Sequence, residues 1–308
     1  MSATNVSAPH IASPTPAPDL AAYASGVRRF ATVAVILLVG CGCASGEDVP
    51  NATETEAPVS SAPSSPTTTS PPDPGTVPPD WLFTRPLPVT DTGFGEVRPT
   101  PQELRVRRFN LPDSIPQLPG TGFESRVDQA PDDVIARSTW NSGCPVRPNQ
   151  LDWIRLTYVG FDGKRHSGEL LAHEDVSADL VRVFRALWRA RFPLEEMRIT
   201  KASELDLKPT GDGNNTGAFV CRRATSGGSF SEHAYGLAID VNPFQNPYRR
   251  GEVVIPELAS SYLNRRNERP GMHVEGGPVV SAFDSIGWTW GGRYRNLKDL
   301  HHFSRSGR

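Results

Sequence analysis

Apolar and polar side chains alternate most regularly in residues 151–161, a segment that is also rich in aromatic and β-branched residues. This pattern predicts a β-strand. Asp162-Gly163 is a turn signal, so we expect residues 168–173 to form the returning strand of a hairpin.

Helical spacing of apolar residues follows Ser177, a good N-cap, and Pro193 is expected to end that helix. Two more helices are predicted at residues 256–265 and 278–286, the second stopping at Gly287. Short strands are predicted at residues 197–200, 218–222 and 237–242. Helices mixed with antiparallel hairpins indicate an α+β fold, a small antiparallel sheet with flanking helices.

The front of the chain has a different composition. Most of the 30 prolines precede Asp132, and residues 47–79 are rich in Pro, Ser and Thr. Such a segment buries too little surface to offset its ordering entropy. We therefore predict a mostly disordered linker at residues 45–131, with at most loose packing after Trp81, and a folded domain at residues 132–308.

Residues 30–39 form a short uncharged apolar stretch behind Arg28 and Arg29, which is typical of a secretory signal within an extension of residues 1–44. Leu38-Val39-Gly40-Cys41 resembles the lipobox of bacterial lipoproteins. We expect a lipid on Cys41 to hold the protein at the outer face of the cytoplasmic membrane. Two alternatives are a signal cleaved near Ala44 and a twin-arginine signal.

Charge and hydropathy exclude two broad classes. The formal net charge of −2 argues against a general nucleic-acid binder, because such binding rests on many phosphate contacts. No apolar run reaches the length of about 20 residues that a spanning helix needs. We expect a monomer.

Two cysteines, Cys144 and Cys221, remain within the predicted domain. In an exported protein such a pair usually forms a disulfide, which we predict here. The alternative is a reactive thiol at Cys221, activated by Arg222 and Arg223.

His233 and Asp240 are seven residues apart, with Gly236 between them, so a turn would present the first and a strand the second. Imidazole nitrogen and carboxylate oxygen suit Zn²⁺, and a third ligand can come from residues 299–303. Three protein ligands with an open fourth position would make a catalytic site. On these two residues alone, a buried and hydrogen-bonded histidine in a capped turn is the alternative.

The wider string is more specific. Ser-x-His-x-x-Gly-x-Ala-x-Asp at residues 231–240, followed by Trp-Gly-Gly and Asp-x-x-His-Phe near the C-terminus, resembles the zinc D-alanyl-D-alanine carboxypeptidases and L-alanyl-D-glutamate endopeptidases, the VanY-like cell-wall peptidases. The resemblance covers about residues 151–303. It implies a hedgehog/DD-peptidase-like fold and hydrolysis of peptidoglycan stem peptides.

Carried over position by position, the resemblance implies that His233, Asp240 and His302 are the zinc ligands and Asp299 the acid/base. His301 is the alternative to His302. Where many relatives have Glu, this chain has Ser304, which puts support for His302 in doubt.

The resemblance also implies a cation for a substrate carboxylate. Arg222 is the candidate and Arg223 the alternative, while Ser231 and Tyr235 are candidate substrate-binding residues. Removal of a terminal D-alanine and cleavage within the stem both remain open. So does a non-catalytic, cell-wall-binding lipoprotein that retains the fold.

Asp299 and His302 pose a geometric problem. A separation of three residues would place them on opposite faces of a flat strand. Because both must face the metal, we predict a turn, bulge or helical twist at Leu300-His301.

Overall fold

The computed structural model describes residues 73–224 and 227–307. The predicted signal, the lipobox at Cys41 and the spacer up to residue 72 lie outside the described residues. The predicted α+β class is confirmed within them. The helices are α1 (Asp132–Arg137), α2 (Ser177–Arg189) and α3 (Pro278–Asp284). No helix of the described part is long and apolar enough to cross a membrane.

The strands are short apart from the central hairpin. They are β1 (Ser125–Gln129), β2 (Leu151–Gly160), β3 (Arg165–His173), β4 (Pro193–Leu194), β5 (Glu196–Met197), β6 (Asn215–Thr216), β7 (Ala238–Asp240), β8 (Tyr248–Arg250), β9 (Val253–Ile255), β10 (Thr289–Trp290), β11 (Lys298–Asp299) and β12 (His302–Ser304). The β2–β3 hairpin and its turn at Asp162-Gly163 are as predicted.

The largest sheet has the order β1–β2–β3, with β4 parallel to the end of β2. The amphipathic α2 lays its apolar face on this sheet, and α3 packs beside it. Their shared core includes Leu156, Phe184 and Phe283, all buried. The strands that contain Asp240 and His302 contribute Ile239 and Phe303 to this core.

A second, antiparallel sheet has the order β10–β12–β7. Beside it, β8 pairs with β11 on one side and β9 on the other, while β5 and β6 form a parallel pair. Asp299 ends β11 and His302 begins β12, so the chain changes sheet at Leu300-His301. The predicted break between these two residues is therefore present.

Two predicted elements are wrong in part. Residues 256–265 contain only one helical turn, Ser260–Leu263, because amides ahead of it bond elsewhere. The Leu258 amide, for example, donates to the Gly211 carbonyl at 2.9 Å. Residues 218–222 form no strand, since the Phe219 amide bonds to Leu171 and the Val220 amide to the carbonyl of His233.

The segment of residues 73–131, which we call the N-terminal strap, differs from the mostly disordered linker that the sequence predicted. Its Leu104 and Phe109 are buried against the domain. Arg107 has no exposed side-chain surface and forms two hydrogen bonds with Glu195, at 2.5 and 2.6 Å. Single buried side chains such as these can hold a segment in place although its apolar residues follow no regular period. The sequence pattern therefore did not predict this ordered segment.

The predicted disulfide between Cys144 and Cys221 is present. It excludes the alternative of a reactive thiol at Cys221 in this structure. The bond ties the segment after α1 to the residues that lead into the candidate site. Its loop spans a sequence separation of 77 residues, so the entropy model gives about 4 kcal/mol of stabilisation.

Candidate metal centre

His233 lies in a single helical turn, Glu232–Tyr235, and is buried. The Ser231 hydroxyl caps this turn by accepting a hydrogen bond from the His233 amide at 3.4 Å. Gly236 ends it at φ +69°, and a Cβ there would lie 2.5 Å from the backbone nitrogen of His173. Only glycine accommodates both the positive φ and this close approach.

Asp240 and His302 reach the same point from the second sheet. They are directly opposite each other in the antiparallel pairing of β7 with β12. Cross-strand partners in such a pair project from the same face. The register of the sheet therefore brings the two side chains together.

Three potential ligand atoms form a nearly equilateral triangle. The His233 Nε2, Asp240 Oδ1 and His302 Nδ1 atoms lie 3.1 Å from one another. Ligands about 2.0–2.1 Å from one tetrahedral zinc ion are separated by roughly 3.3 Å. The spacing therefore fits a common ion.

The donor chemistry of His233 also fits a metal. Its Nδ1 lies 2.6 Å from the carbonyl oxygen of Ala218, which can only accept, so Nδ1 carries the hydrogen. In the neutral ring, Nε2 then presents a lone pair towards the Asp240 carboxylate. Two acceptors face each other across 3.1 Å, an arrangement that a bound cation would stabilise.

The charge state of Asp240 also fits a metal site. Burial alone would raise the pKa of this carboxyl group. The neighbouring imidazoles of His233, His301 and His302 outweigh burial and hold the pKa of the Asp240 carboxyl well below its usual range. Asp240 is therefore anionic at neutral pH, as a carboxylate that binds a metal ion must be.

Asp299 lines the same cleft, and the backbone of the next residue is held by two hydrogen bonds. The Leu300 carbonyl accepts hydrogen bonds from Trp290 Nε1 at 2.8 Å and His273 Nδ1 at 2.9 Å. Burial lowers the pKa of His273 to about 3, so this ring is a neutral donor. Gly291, in the Trp-Gly-Gly motif, lies so close that a Cβ there would be 2.8 Å from the Asp299 Cβ.

His301 is not the third atom of the triangle, since its Nε2 lies 3.7 Å from Asp240 Oδ2. Instead, Nε2 faces Asp299 Oδ1 at 3.1 Å. Its Nδ1 lies 2.8 Å from the carbonyl oxygen of Asn246, which fixes the ring. His301 therefore stands between the ligand Asp240 and the candidate acid/base.

The three ligand atoms lie in a cleft of about 880 Å³. The predicted substrate residues Arg222, Ser231 and Tyr235 all line it. Sequence reasoning missed Tyr248 and Arg250, which β8 brings to the same cleft from a segment with no recognisable motif. Trp288 and Trp290 pack in the main core.

Comparison with known proteins agrees with this geometry. Residues 224–305 match the family model described as D-alanyl-D-alanine carboxypeptidase. The family resemblance is confirmed over this segment. The match contains all three ligand atoms and Asp299, while Arg222 lies just ahead of it. No curated protein and no solved structure matched the chain.

Proposed function

We propose that this protein is a zinc-dependent peptidase that hydrolyses peptide bonds in the stem peptides of peptidoglycan. The observation that carries the proposal is the triangle of His233 Nε2, Asp240 Oδ1 and His302 Nδ1 at the base of a cleft that also contains Asp299. The family match over residues 224–305 supports it. We include in the proposal the hedgehog/DD-peptidase-like fold that the family resemblance implies.

His233, Asp240 and His302 would hold the ion. Zinc in such a site supplies Lewis acidity, polarising a carbonyl and lowering the pKa of a water molecule to about 7. Asp299 takes a proton from the attacking water and returns it to the nitrogen of the leaving amine. The peptide C–N bond breaks, and the water oxygen ends in the new carboxylate.

Other side chains bind and orient the substrate. Arg222 is an exposed cation in the cleft, and among residues 73–224 and 227–307 its guanidinium donates only to the Arg223 carbonyl, at 3.2 Å. It is therefore free to pair with a substrate carboxylate. Ser231 caps the turn of His233, and Tyr235 lies beside it on the cleft wall, so both can contact a bound peptide.

The non-catalytic alternative, a cell-wall-binding lipoprotein, would not need an acid/base. All three ligand residues and Asp299 are present and share one cleft, which favours catalysis. The proposal is tested by digesting purified muropeptides with chelator-stripped and zinc-reloaded protein, followed by mass spectrometry. We expect cleavage only after reloading and none with His302→Ala. Binding without cleavage would favour the alternative.

The cellular location is a separate proposal. A disulfide within the domain fits an oxidising compartment outside the cytoplasm. We propose that a lipid on Cys41 tethers the domain to the outer face of the cytoplasmic membrane, where peptidoglycan is within reach. Cys41→Ala should release the protein from the membrane fraction. A soluble wild-type protein with an unmodified N-terminus near Ser45 would contradict the anchor.

The predicted monomer is tested in the same preparation. Sedimentation of the soluble Cys41→Ala protein should give the mass of a single chain, because no site residue of the described part needs a second copy. A stable dimer would contradict this expectation.

A further inference from the structure

The sheet formed by β8, β9 and β11 brings a second cation to the wall of the cleft that holds Asp299. Tyr248 of β8 lies directly opposite Asp299 of β11. Cross-strand partners project from the same face of an antiparallel pair, and so do residues two apart along one strand. Tyr248, Arg250 and Asp299 therefore lie on one face of this sheet, and all three line the cleft over the ligand triangle.

A neighbouring arginine lies on the other face of the same sheet. Arg249 stands between Tyr248 and Arg250 in β8, and its partner in β11 is Lys298. Arg249 and Lys298 line a separate cavity and do not line the cleft. The alternation of the strand thus directs Arg250 towards the cleft and Arg249 away from it.

The charge of Arg250 is available to a bound molecule. Its side chain is exposed, and it forms no ion pair with a carboxylate among residues 73–224 and 227–307. Burial raises the pKa of the Tyr248 hydroxyl, and a hydrogen bond from Arg250 partly offsets this effect. The guanidinium is therefore held beside Tyr248 at the cleft wall, where its remaining N–H groups can bind an anion.

The position of Arg250 relative to Asp299 indicates which part of a substrate it reaches. Because Tyr248 is directly opposite Asp299, Arg250 is a diagonal neighbour of Asp299, and the Cβ atoms of such neighbours are roughly 7 Å apart. In the proposed reaction Asp299 protonates the nitrogen of the leaving amine, so that nitrogen lies within hydrogen-bond distance of its carboxylate. A carboxylate on the α-carbon next to this nitrogen then lies within reach of the long Arg250 side chain.

The other arginine that we assign to substrate binding belongs to a different wall. The Arg222 carbonyl accepts a hydrogen bond from the Ser231 amide at 3.1 Å, which joins Arg222 to the segment leading into His233. Arg250 belongs instead to the sheet that contains Asp299. The two cations can therefore hold two different carboxylates of one substrate.

We infer that Arg250, supported by Tyr248, binds a carboxylate on the α-carbon of the residue that leaves as the amine, and so selects substrates by the charge of that residue. The inference rests on the proposed peptidase function and adds a residue that determines specificity. A terminal D-alanine carries such a carboxylate, and so does a D-glutamate that is linked onward through its side chain. The inference thus holds for both bonds that remain open.

The experiment compares pairs of synthetic stem peptides as substrates of the zinc-loaded exported chain. In each pair the α-carboxylate of the leaving residue is either free or converted to a primary amide. We expect the wild type to prefer the free acid. Arg250→Gln should lower kcat/KM about 10- to 100-fold for the acid and change it little for the amide, because only the acid loses a charge-assisted hydrogen bond. Arg250→Lys should keep part of the preference.

Two further variants serve as comparisons. Arg249→Gln is the matched control, because it removes an exposed arginine from the other face of the same strand, and it should behave as wild type. Arg222→Gln should affect acid and amide alike, since it acts on a different carboxylate. The zinc content should stay at one ion per chain in every variant, because all of these arginines are exposed.

The possible results separate the two claims. A wild type that cleaves acid and amide equally would overturn the inference and leave the peptidase function standing. So would an Arg250→Gln variant that keeps the full preference for the acid, or a loss of that preference in Arg222→Gln alone. If the zinc-loaded wild type hydrolyses no peptide, both the inference and the proposed function are wrong.

Discussion

Asp240 lies directly opposite His302 in the β7–β12 pairing, with its Oδ1 atom 3.1 Å from the His302 Nδ1 atom. Hydrogen bonds between two short strands thus set the distance between two proposed metal ligands. A shift of this register by one residue would turn one of them to the opposite face. His233 completes the triangle from a separate turn, whose geometry depends on Ser231 and Gly236.

His301 is expected to position the acid/base. Because its Nε2 lies 3.1 Å from Asp299 Oδ1, His301→Ala should lower kcat by about 10- to 100-fold, as loss of an orienting partner typically does, while zinc content and KM change little. His301→Gln should recover part of the activity, since its amide can donate to Asp299. Steady-state kinetics with metal analysis provides the measurement. Full activity in His301→Ala would show that Asp299 needs no such partner.

Gly291 is expected to set the position of the Asp299 backbone. A methyl group at this site would meet the Asp299 carbonyl and its Cβ, so Gly291→Ala must displace the carboxylate. A displacement of about 1 Å can cost about 10²-fold in rate. Gly122→Ala, where a Cβ meets nothing within 4 Å, serves as the control. Equal kcat values for the two variants would refute the proposed contact.

The N-terminal strap should contribute strongly to stability. Removing one partner of a buried ion pair costs about 3–5 kcal/mol, and we expect Arg107→Met to lower the free energy of unfolding by this amount. Urea denaturation followed by fluorescence provides the measurement. Arg108→Met is the matched control, because its side chain is 41% exposed and, within the part of the chain that the structure describes, forms an ion pair only with exposed Asp73. Similar small losses in both variants would mean that the strap is only loosely attached.

His166 should make stability depend on pH. The hydrogen bond that His166 Nδ1 donates to the Asp113 carboxylate, assisted by Asp162, raises the pKa of this ring above its ordinary value of 6.5 despite partial burial. The protonated ring therefore stabilises the folded state fully below pH 6.5, and this contribution disappears as the pH rises through the folded pKa. The stability difference between wild type and His166→Asn should shrink over that range. A difference independent of pH would contradict the assignment.

Local sequence patterns predicted the elements in which side chains repeat regularly. The β2–β3 hairpin, α2, α3 and the strand ending at Asp240 follow from alternation or helical spacing. The ligand set and the break before His302 followed from the family motif and from the requirement that both residues face one ion. Each of the two motifs lies within a short stretch of chain, residues 231–240 and 299–303, although the two stretches are far apart in the sequence.

Contacts between distant segments were not predictable in this way. The pairing of Arg107 with Glu195, the support of His301 by the Asn246 carbonyl and the approach of Arg250 to the cleft each depend on tertiary packing. None leaves a periodic signal or a motif in the sequence. At residues 256–265, by contrast, the sequence predicted a helix that is mostly absent. Backbone amides in this segment form hydrogen bonds with other segments instead.

The central claim is that His233, Asp240 and His302 hold a zinc ion and that Asp299 performs acid–base catalysis without binding it. The most direct measurement is the zinc content per chain, determined with kcat on a stem peptide, for wild type, His302→Ala and Asp299→Asn. We expect one zinc in wild type and none in His302→Ala. Asp299→Asn should keep its zinc and lose about 10²–10⁴-fold in kcat. If Asp299→Asn binds zinc and is fully active, another residue acts as the base, and Glu232 is the first candidate. If His302→Ala still binds zinc, the proposed ligand set is wrong.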